Sequence, residues 1–447
     1  MNYGRWKMEK LISAISETVW GFPMLVLVLG CGIYYTFRLR FLQITRFREW
    51  TKETFGTFCG KKNAAPKEGV SPWKAVCTAL ASSIGTGNIA GVATAIVSGG
   101  AGAVFWMWVA AFFGMAVKYA EIFLAVKFRS SGQDGFYGGP MYYIEKGIGK
   151  SYRPLGAVFS VAGAFACIGM GAMSQANSIS SVVCAQNGIP VYVVGVVIAS
   201  IAAVSLAGGI KKTAQISSVL VPFMAGAYIL GGVVVIVFNP ARAIYAFSEI
   251  LGAALTPKAV YGAAAGEMFG RAVRYGVSRG VFSNEAGLGS APIIHAAANA
   301  RSPEKQGFWG VFEVFVDTIL VCSVTAVVLI MSGVDRGAAD GAGLVSLAFS
   351  EFFGPFGGVF VGFATVMFAI STILGWSYYG EMCVSYLTGQ RRVARKLYRI
   401  IFVLSTFVGA ITCATQVWEI ADMFNGIMMI PNLIALILLS GVVTKKL

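Results

Sequence analysis

The sequence predicts an all-α polytopic membrane protein, built as two inverted five-helix repeats plus one extra N-terminal span. About eleven transmembrane helices are expected, and three observations carry that reading. First, 57% of the 447 residues are apolar and only 12% are charged. Soluble domains carry about 25% charge, and a globule of this length could not cover its surface with so little. Second, apolar runs of about 20 residues, enough to cross hydrocarbon, recur along the whole chain. Third, two of those runs are interrupted by glycine-rich stretches at corresponding places. Disorder, a secreted disulfide scaffold and an ordinary cytosolic enzyme are poor fits to this composition.

The elements follow in order. Residues 1–71 hold an amphipathic helix at 3–18, a span near 19–37 and a basic loop. No small-residue cleavage site follows the first apolar run, so these residues do not read as a signal peptide. Residues 72–238 form the first five-span repeat, with runs near 73–98, 103–126, 155–185, 190–207 and 216–238. Segment 239–280 is amphipathic without a clean span and is expected to cap the outside. Residues 281–447 form the second repeat, with runs near 281–298, 308–332, 355–388, 397–414 and 417–443. An odd number of spans in each repeat inserts the second upside down relative to the first. The eight cysteines are scattered without a CxxC or Cys/His cluster, so neither a metal site nor a disulfide framework is indicated.

The net charge of +15 would suggest nucleic acid in a soluble protein. Here the basic residues alternate with the connections. Segment 38–72 carries Arg38, Arg40, Arg46, Arg48, Lys52, Lys61, Lys62 and Lys67, whereas the connection at Ser98–Gly102 carries none. Segments 127–154, 208–215, 299–307 and 389–396 are basic again, and the chain ends with Lys445 and Lys446 before Leu447. Cytoplasmic loops accumulate Lys and Arg. Placing 38–72 in the cytoplasm puts about 23 of the 35 basic residues inside and about nine outside. The expectation is a multi-pass protein of a cell (inner) membrane, N-terminus out and C-terminus in. The charge is accounted for by the bilayer, with no nucleic-acid footprint and no obligate protein partner inferred.

The two interruptions are the most informative feature. The first is Ala81-Ser82-Ser83-Ile84-Gly85-Thr86-Gly87-Asn88, and the second runs from Ser283 through Pro292. Backbone without hydrogen bonds survives in a membrane only around a polar cavity. Half-helix N-termini there offer N–H groups to a carboxylate, and freed carbonyls offer oxygen to a cation. Paired breaks in two five-span halves point to an inverted-repeat secondary transporter. A Gly-x-Gly pair in one membrane helix also serves close packing; two matched breaks, each flanked by Asn and Ser or Thr, weigh against that. A dinucleotide loop is excluded because no βαβ unit surrounds Gly85-x-Gly87.

At these residues the chain resembles the alanine/glycine:cation symporter family, the sodium:alanine symporters. The matching stretches are Gly85 through Ile96, Gly139-Pro140-Met141-Tyr142-Tyr143-Ile144-Glu145-Lys146-Gly147, Ser283 through Pro292, and Lys118-Tyr119-Ala120-Glu121. The resemblance covers essentially the whole chain. It implies a leucine-transporter-like fold and Na⁺ as the co-transported ion, with no organic cofactor. Gly85-Thr86-Gly87-Asn88 looks like the Gly-Leu-Gly-Asn of the related neurotransmitter:sodium symporters. By that resemblance the Thr86 and Gly87 amides would hold a substrate carboxylate. Asn88, the Ser83 carbonyl and Ser283 would bind one Na⁺. The Ala81 and Ile84 carbonyls with Ser371 and Thr372 would bind a second. Gly287 and Gly289 match the glycines of the second break and would border the substrate. Those relatives carry an Arg three residues after the Asn, where this chain has Gly91. Arg279 with Asp422 or Glu419 is the candidate replacement gate, against the plainer reading of surface ion pairs.

Other polar residues lie within the spans. Gln175 is expected to meet the substrate carboxylate or to make a helix–helix hydrogen bond; Asn177 reads as structural. Trp376 is a candidate pocket wall, with Phe282 and Met170 as weaker ones. Ionisable groups at mid-membrane cost about 2.5–3.5 kcal/mol and are functional suspects. Glu285 is expected to shape the second break or to meet the substrate ammonium. Glu313 and Asp317 share one helix face, which suggests a structural pair, or Asp317 near a cation. Lys118 and Glu121 read as a local ion pair. His295, the single histidine, reads as a satisfied packing residue.

The resulting expectation is Na⁺-coupled uptake of a small neutral amino acid, alanine or glycine, by alternating access, without catalytic residues. Transport of serine, glutamine or a D-amino acid, or proton coupling, is the alternative within the class. A receptor would need a signalling domain and a channel a continuous polar stripe, and neither is visible.

Overall fold

The structure is a computed structural model that describes residues 20–56, 69–132, 135–255, 263–412 and 414–445. The expected amphipathic helix at 3–18 and the side chain of Glu419 lie outside the described residues. The described chain is almost wholly helical, and its elements can be taken in order. Helix α1 (Phe22–Arg38) precedes the first repeat. That repeat opens with α2 (Pro72–Ser83) and α3 (Ala90–Gly99), two limbs bent by 59° across a short break. Next comes α4 (Gly102–Lys127). A long span follows, formed by α5 (Arg153–Ala166) and α6 (Ser174–Asn187) joined through a π-helical turn at Cys167–Met173. Helices α7 (Val191–Ala207) and α8 (Gly209–Phe238) complete the repeat.

The second repeat mirrors this order. Helix α9 (Pro240–Leu255) intervenes, and α10 (Ala263–Asn284) and α11 (Ala291–Ala296) form the second broken pair. A span built from α12 (Pro303–Val314), a π-helical stretch at Phe315–Cys322 and α13 (Ser323–Ser332) comes next. After α14 (Gly341–Phe353), helices α15 (Pro355–Leu387), α16 (Arg392–Ile411) and α17 (Ala414–Leu438) finish the fold. Six of the described helices are long and apolar enough to cross a membrane, and the bent pair α2–α3 makes a seventh.

Local sequence explains the starts of α2 and α12. Pro72 and Pro303 each occupy a first helical position, where a missing N–H costs nothing. Ser71 and Ser302 precede them, and their hydroxyls accept from the Lys74 and Lys305 amides at 3.3 and 3.2 Å. The inversion of the repeats is visible in one contact. Val70, which enters the first broken helix, donates its N–H to the Ala297 carbonyl at 3.1 Å, and Asn299 N–H returns to Val70 O at 2.7 Å. One broken helix therefore begins where the other ends. At that same end, Gly135–Tyr137 pairs antiparallel with Ser130–Gly132 as a small hairpin.

Two features depart from the sequence reading. The first limb of the second broken helix is α10, so it starts at Ala263, inside the segment read as a cap. Glu267, Arg271, Arg274 and Arg279 hid this limb by lowering its apolar content. Of that segment only α9 remains as a separate helix. Helix α14 sits in a connection where no helix was expected, and Gly341 at its start abuts Ala90 of α3.

Candidate functional site

The first break is built without left-handed backbone. Ile84 ends α2, Gly85 is extended (φ −133°), and Thr86–Asn88 makes one 3₁₀ turn before α3. Asn88 closes this turn: its Oδ1 accepts the Gly85 N–H at 2.9 Å. The Thr325 hydroxyl donates to the Asn88 carbonyl at 2.8 Å. The second break is different, with Glu285, Gly287 and Gly289 at φ +57°, +89° and +81°. The Glu285 carboxylate shapes this loop, accepting from the Ser290 hydroxyl and from the Trp376 indole N–H at 3.0 Å. The Glu285 carboxylate is thus held by side-chain donors, one in the loop and one on α15, rather than by backbone amides.

Trp376 joins the two breaks. Its indole N–H lies 3.0 Å from Glu285 Oε1 in the second break and 3.3 Å from the Ser82 carbonyl at the end of α2. The ring is fully buried. Helix α15 reaches this position because Gly171 stands opposite; a Cβ there would lie 2.3 Å from the Trp376 Cβ. Phe282 packs over Gly87, whose added Cβ would meet the Phe282 ring at 3.5 Å.

Gln175 comes to the first break from α6. Its Oε1 accepts from the Thr86 hydroxyl at 3.1 Å and from the Thr86 N–H at 3.4 Å. Its Nε2 donates to the Met170 carbonyl, which lies in the π-helical turn, at 3.1 Å. An amide oxygen thus stands on the Thr86 N–H to which the resemblance assigns a carboxylate. Met170 also faces Asn425, whose Nδ2 lies 2.9 Å from its sulfur. Asn177 donates to the Thr412 and Gly409 carbonyls at 2.7 and 3.3 Å, a helix-to-helix tie.

The expected cation ligands fall into two groups. Ser283 and Asn88 meet at Asp317: the Ser283 hydroxyl donates to Oδ2 at 2.9 Å and Asn88 Nδ2 to Oδ1 at 2.7 Å. Thr372 approaches the other position, its hydroxyl 3.5 Å from the Ile84 carbonyl and 2.9 Å from Phe368 O. The Ser371 hydroxyl is turned to Phe368 O at 2.8 Å. The Ala81 and Ser83 carbonyls sit in the last turn of α2, where helices lack internal partners. Gly287 O receives Asn432 Nδ2 at 2.8 Å, and Gly289 lies against Pro140, Asn432 and Phe159.

Toward one end of the fold, Arg279 NH1 lies 3.9 Å from Asp422 Oδ2, and its guanidinium sits 5.6 Å from the Phe282 ring centre. The proposed gate pair is adjacent and partly buried. At the opposite end, a cavity of about 330 Å³ opens among Val70, Tyr137, Lys211, Ala297, Met382 and Arg395.

Lys118 and Glu121 pair differently from expectation. Lys118 reaches Glu313 on α12 at 3.1 Å rather than closing a local pair with Glu121. Glu121 accepts from Asn432 Nδ2. The two groups are on one helix, but their partners sit on different neighbours. His295 lies 3.3 Å from Glu313 and 2.7 Å from Gln306 Nε2, a fully satisfied core histidine. Asn432 and Thr325 were missed by sequence reasoning. A polar Asn after Pro431 in an otherwise apolar run was the available signal for the first; nothing marked the second.

Two inverted units, each opened by a broken helix and meeting at a buried polar centre, define a membrane transporter with the leucine-transporter-like fold. A manganese transporter of Eremococcus coleocola shares that fold, with a TM-score of 0.54 at 12% identity, over 82% of this chain and 75% of that one. The model of the sodium:alanine symporter family matches residues 5–447, and the chain belongs to that family. It is 47% identical to the sodium/alanine symporter AgcS of Methanococcus maripaludis, over 98% of this chain and 96% of that protein. It is 34% identical to the probable sodium/glutamine symporter GlnT of Bacillus subtilis, over 98% and 89%. The chain is thus a multi-pass transport protein of a Na⁺-coupled amino-acid symporter family.

Proposed function

We infer that the protein couples the entry of Na⁺ to uptake of a small neutral amino acid, alanine or glycine, by alternating access. One observation carries this reading. The Thr86 N–H, at a buried break, is met by the carboxamide oxygen of Gln175. A substrate carboxylate takes that position, and Gln175 then turns its N–H₂ toward it. The Thr86 and Gly87 amides bind the carboxylate, and carbonyls freed at the two breaks take the ammonium. Trp376, Phe282 and Met170 wall the side-chain space. Trp376 is held from both breaks, which makes it a fixed wall and favours a small side chain such as that of alanine over the longer one of glutamine. This is the substrate named for AgcS rather than the one named for GlnT.

Na⁺ is supported at two positions, both built from hard oxygen donors as a small alkali ion requires. One lies at Asn88, Ser83 and Ser283; the other at Ala81, Ile84, Ser371 and Thr372. The cavity bounded by Lys211 and Arg395 is the inner vestibule, and Arg279–Asp422 closes the outer side. This orientation leaves the N-terminus outside and the C-terminus in the cytoplasm of a prokaryotic cell. One charge moving through 100 mV is worth about 2.3 kcal/mol, or roughly 50-fold accumulation at about 1.4 kcal/mol per decade.

The test is uptake of labelled alanine into proteoliposomes, with a Na⁺ gradient and with choline in its place. Native uptake should require Na⁺, and Asn88→Ala should need a much higher Na⁺ concentration. Native uptake indifferent to Na⁺ would sink the coupling. Unchanged Na⁺ dependence in Asn88→Ala would remove that residue from the site.

A further inference from the structure

We propose that the carboxylate of Asp317 is a direct ligand of the Na⁺ bound beside Asn88 and Ser283, and that it lets this ion bind before the amino acid. The proposal rests on the Na⁺-symport reading and adds to it a charged ligand and a binding order.

Asp317 lies midway along the α12–α13 span and is fully buried. Its position four residues after Glu313 suggested a structural pair. Glu313 is engaged instead with Lys118 at 3.1 Å and His295 at 3.3 Å. No ion pair joins Asp317 to a cationic side chain among the described residues. Its partners are all neutral: Asn88 Nδ2 at 2.7 Å, Ser283 Oγ at 2.9 Å and Thr318 Oγ1 at 2.8 Å. Neutral donors solvate a carboxylate but leave its charge in place. A carboxylate in the middle of a membrane span calls for a cation or marks a functional path.

The surrounding atoms suit an alkali ion. The Ser283 and Thr318 hydroxyls now point their protons at the carboxylate; rotated, they offer lone pairs. Asn88 Oδ1 keeps the Gly85 N–H and retains a second lone pair. The π-helical stretch Phe315–Cys322 interrupts the regular ladder at this point, a distortion that often accompanies functional sites. Cys322 Sγ also lies nearby, 3.2 Å from Ser283 Oγ, but sulfur is a soft ligand and does not serve Na⁺.

Two consequences follow from this placement. A site with its own negative charge does not need the substrate carboxylate to complete it, so Na⁺ binds to the substrate-free protein. The ligands also come from both broken helices: Asn88 belongs to the first and Ser283 to the second. An ion held by all of them draws the breaks together and orients the adjacent Thr86 and Gly87 amides for the amino acid.

The test uses the purified full-length protein, without amino acid, unfolded by heat in increasing NaCl at constant total salt with choline chloride. In the native protein Na⁺ should raise the unfolding temperature. In Asp317→Asn the Na⁺ concentration giving half of that rise should increase about tenfold or more, since affinity follows ligand charge. A merely structural Asp317 lowers the unfolding temperature equally in both salts and leaves the half-point unmoved, and that result overturns the proposal. If Asp317→Asn is not obtained as a monodisperse protein, Thr318→Val is read the same way. Its half-point should rise about threefold, the loss of one hydroxyl contact, and an unchanged value overturns the proposal. Na⁺-dependent uptake without any Na⁺ shift in the native protein also overturns it, because binding then waits for substrate. Na⁺-independent native uptake overturns the symport reading itself.

Discussion

The first break turns at Gly85–Asn88 with negative φ at Gly85 and at Ile89, and no positive φ between them. The second turns at Glu285–Ser290 with three residues in left-handed backbone. Both motifs are glycine-rich, yet their glycines do different work. Gly85 is small because Thr372 is close: an added Cβ would lie 2.5 Å from its hydroxyl oxygen. Gly287 and Gly289 are glycines because of their φ. The carboxamide of Asn88 closes the first break from within, on the Gly85 N–H, and Thr86 ties it to Gln175 on α6. The second is held from outside, by Asn432 on Gly287 O and by Trp376 on Glu285. Similar motifs thus reach a similar shape by contact space in one repeat and by backbone conformation in the other.

The largest effect expected from breaking this comparison is at Gly289. Alanine there meets both a left-handed φ, costing about 1–2 kcal/mol, and crowding against Pro140 Cγ at 2.6 Å. Crowding of this kind adds about 1–3 kcal/mol. Gly289→Ala should lower the unfolding temperature markedly and abolish uptake in proteoliposomes, and trimming Pro140 should not restore it. An unchanged unfolding temperature would show that the second break does not depend on left-handed backbone.

Gly85→Ala should cost less, about 1–3 kcal/mol of overpacking alone. Because its obstacle is a side chain, Gly85→Ala combined with Thr372→Ala should recover most of the lost thermal stability. Absence of any recovery would place the constraint in the backbone and make the two breaks alike. Recovery of transport is not expected, since Thr372 is a proposed cation ligand.

The smallest effect concerns the proposed gate. Gly91 stands in α3, the second limb of the first break, and Arg279 stands in α10, the first limb of the second. The Arg279–Asp422 pair is partly exposed at 3.9 Å, so its worth to folding is about 0–1 kcal/mol. Arg279→Glu should therefore leave stability nearly unchanged while slowing uptake several-fold, and Asp422→Arg in the same chain should restore part of the rate. Uptake intact in Arg279→Glu would remove the gate.

Much of the fold was legible in the sequence because its signals are local. Apolar run length marked the spans, and glycine beside Asn or Ser marked the breaks. Where polar residues entered a span the signal weakened. Arg271, Arg274 and Arg279 concealed α10, although the limb is helical through Asn284. Within the candidate site, Asn88 and Ser283 were named from the sequence, and Asp317 was read as half of a structural pair with Glu313 or as a group near a cation. Asn432 was passed over, although it spans from Glu121 to Gly287. Its partners are more than a hundred residues away, and no spacing rule reaches that far.

Composition and periodicity by themselves determined the class: a helical membrane protein, two repeats and two breaks. These follow from transfer of side chains into hydrocarbon and from the hydrogen-bonding needs of the backbone, both set residue by residue. Only the tertiary structure decided the partners. Lys118 found Glu313 rather than Glu121 three residues away, Asp317 found Asn88 and Ser283 rather than Glu313, and Trp376 found both breaks at once. Which buried groups meet depends on how packed helices turn their faces to one another, and that geometry arises from contacts between distant parts of the chain.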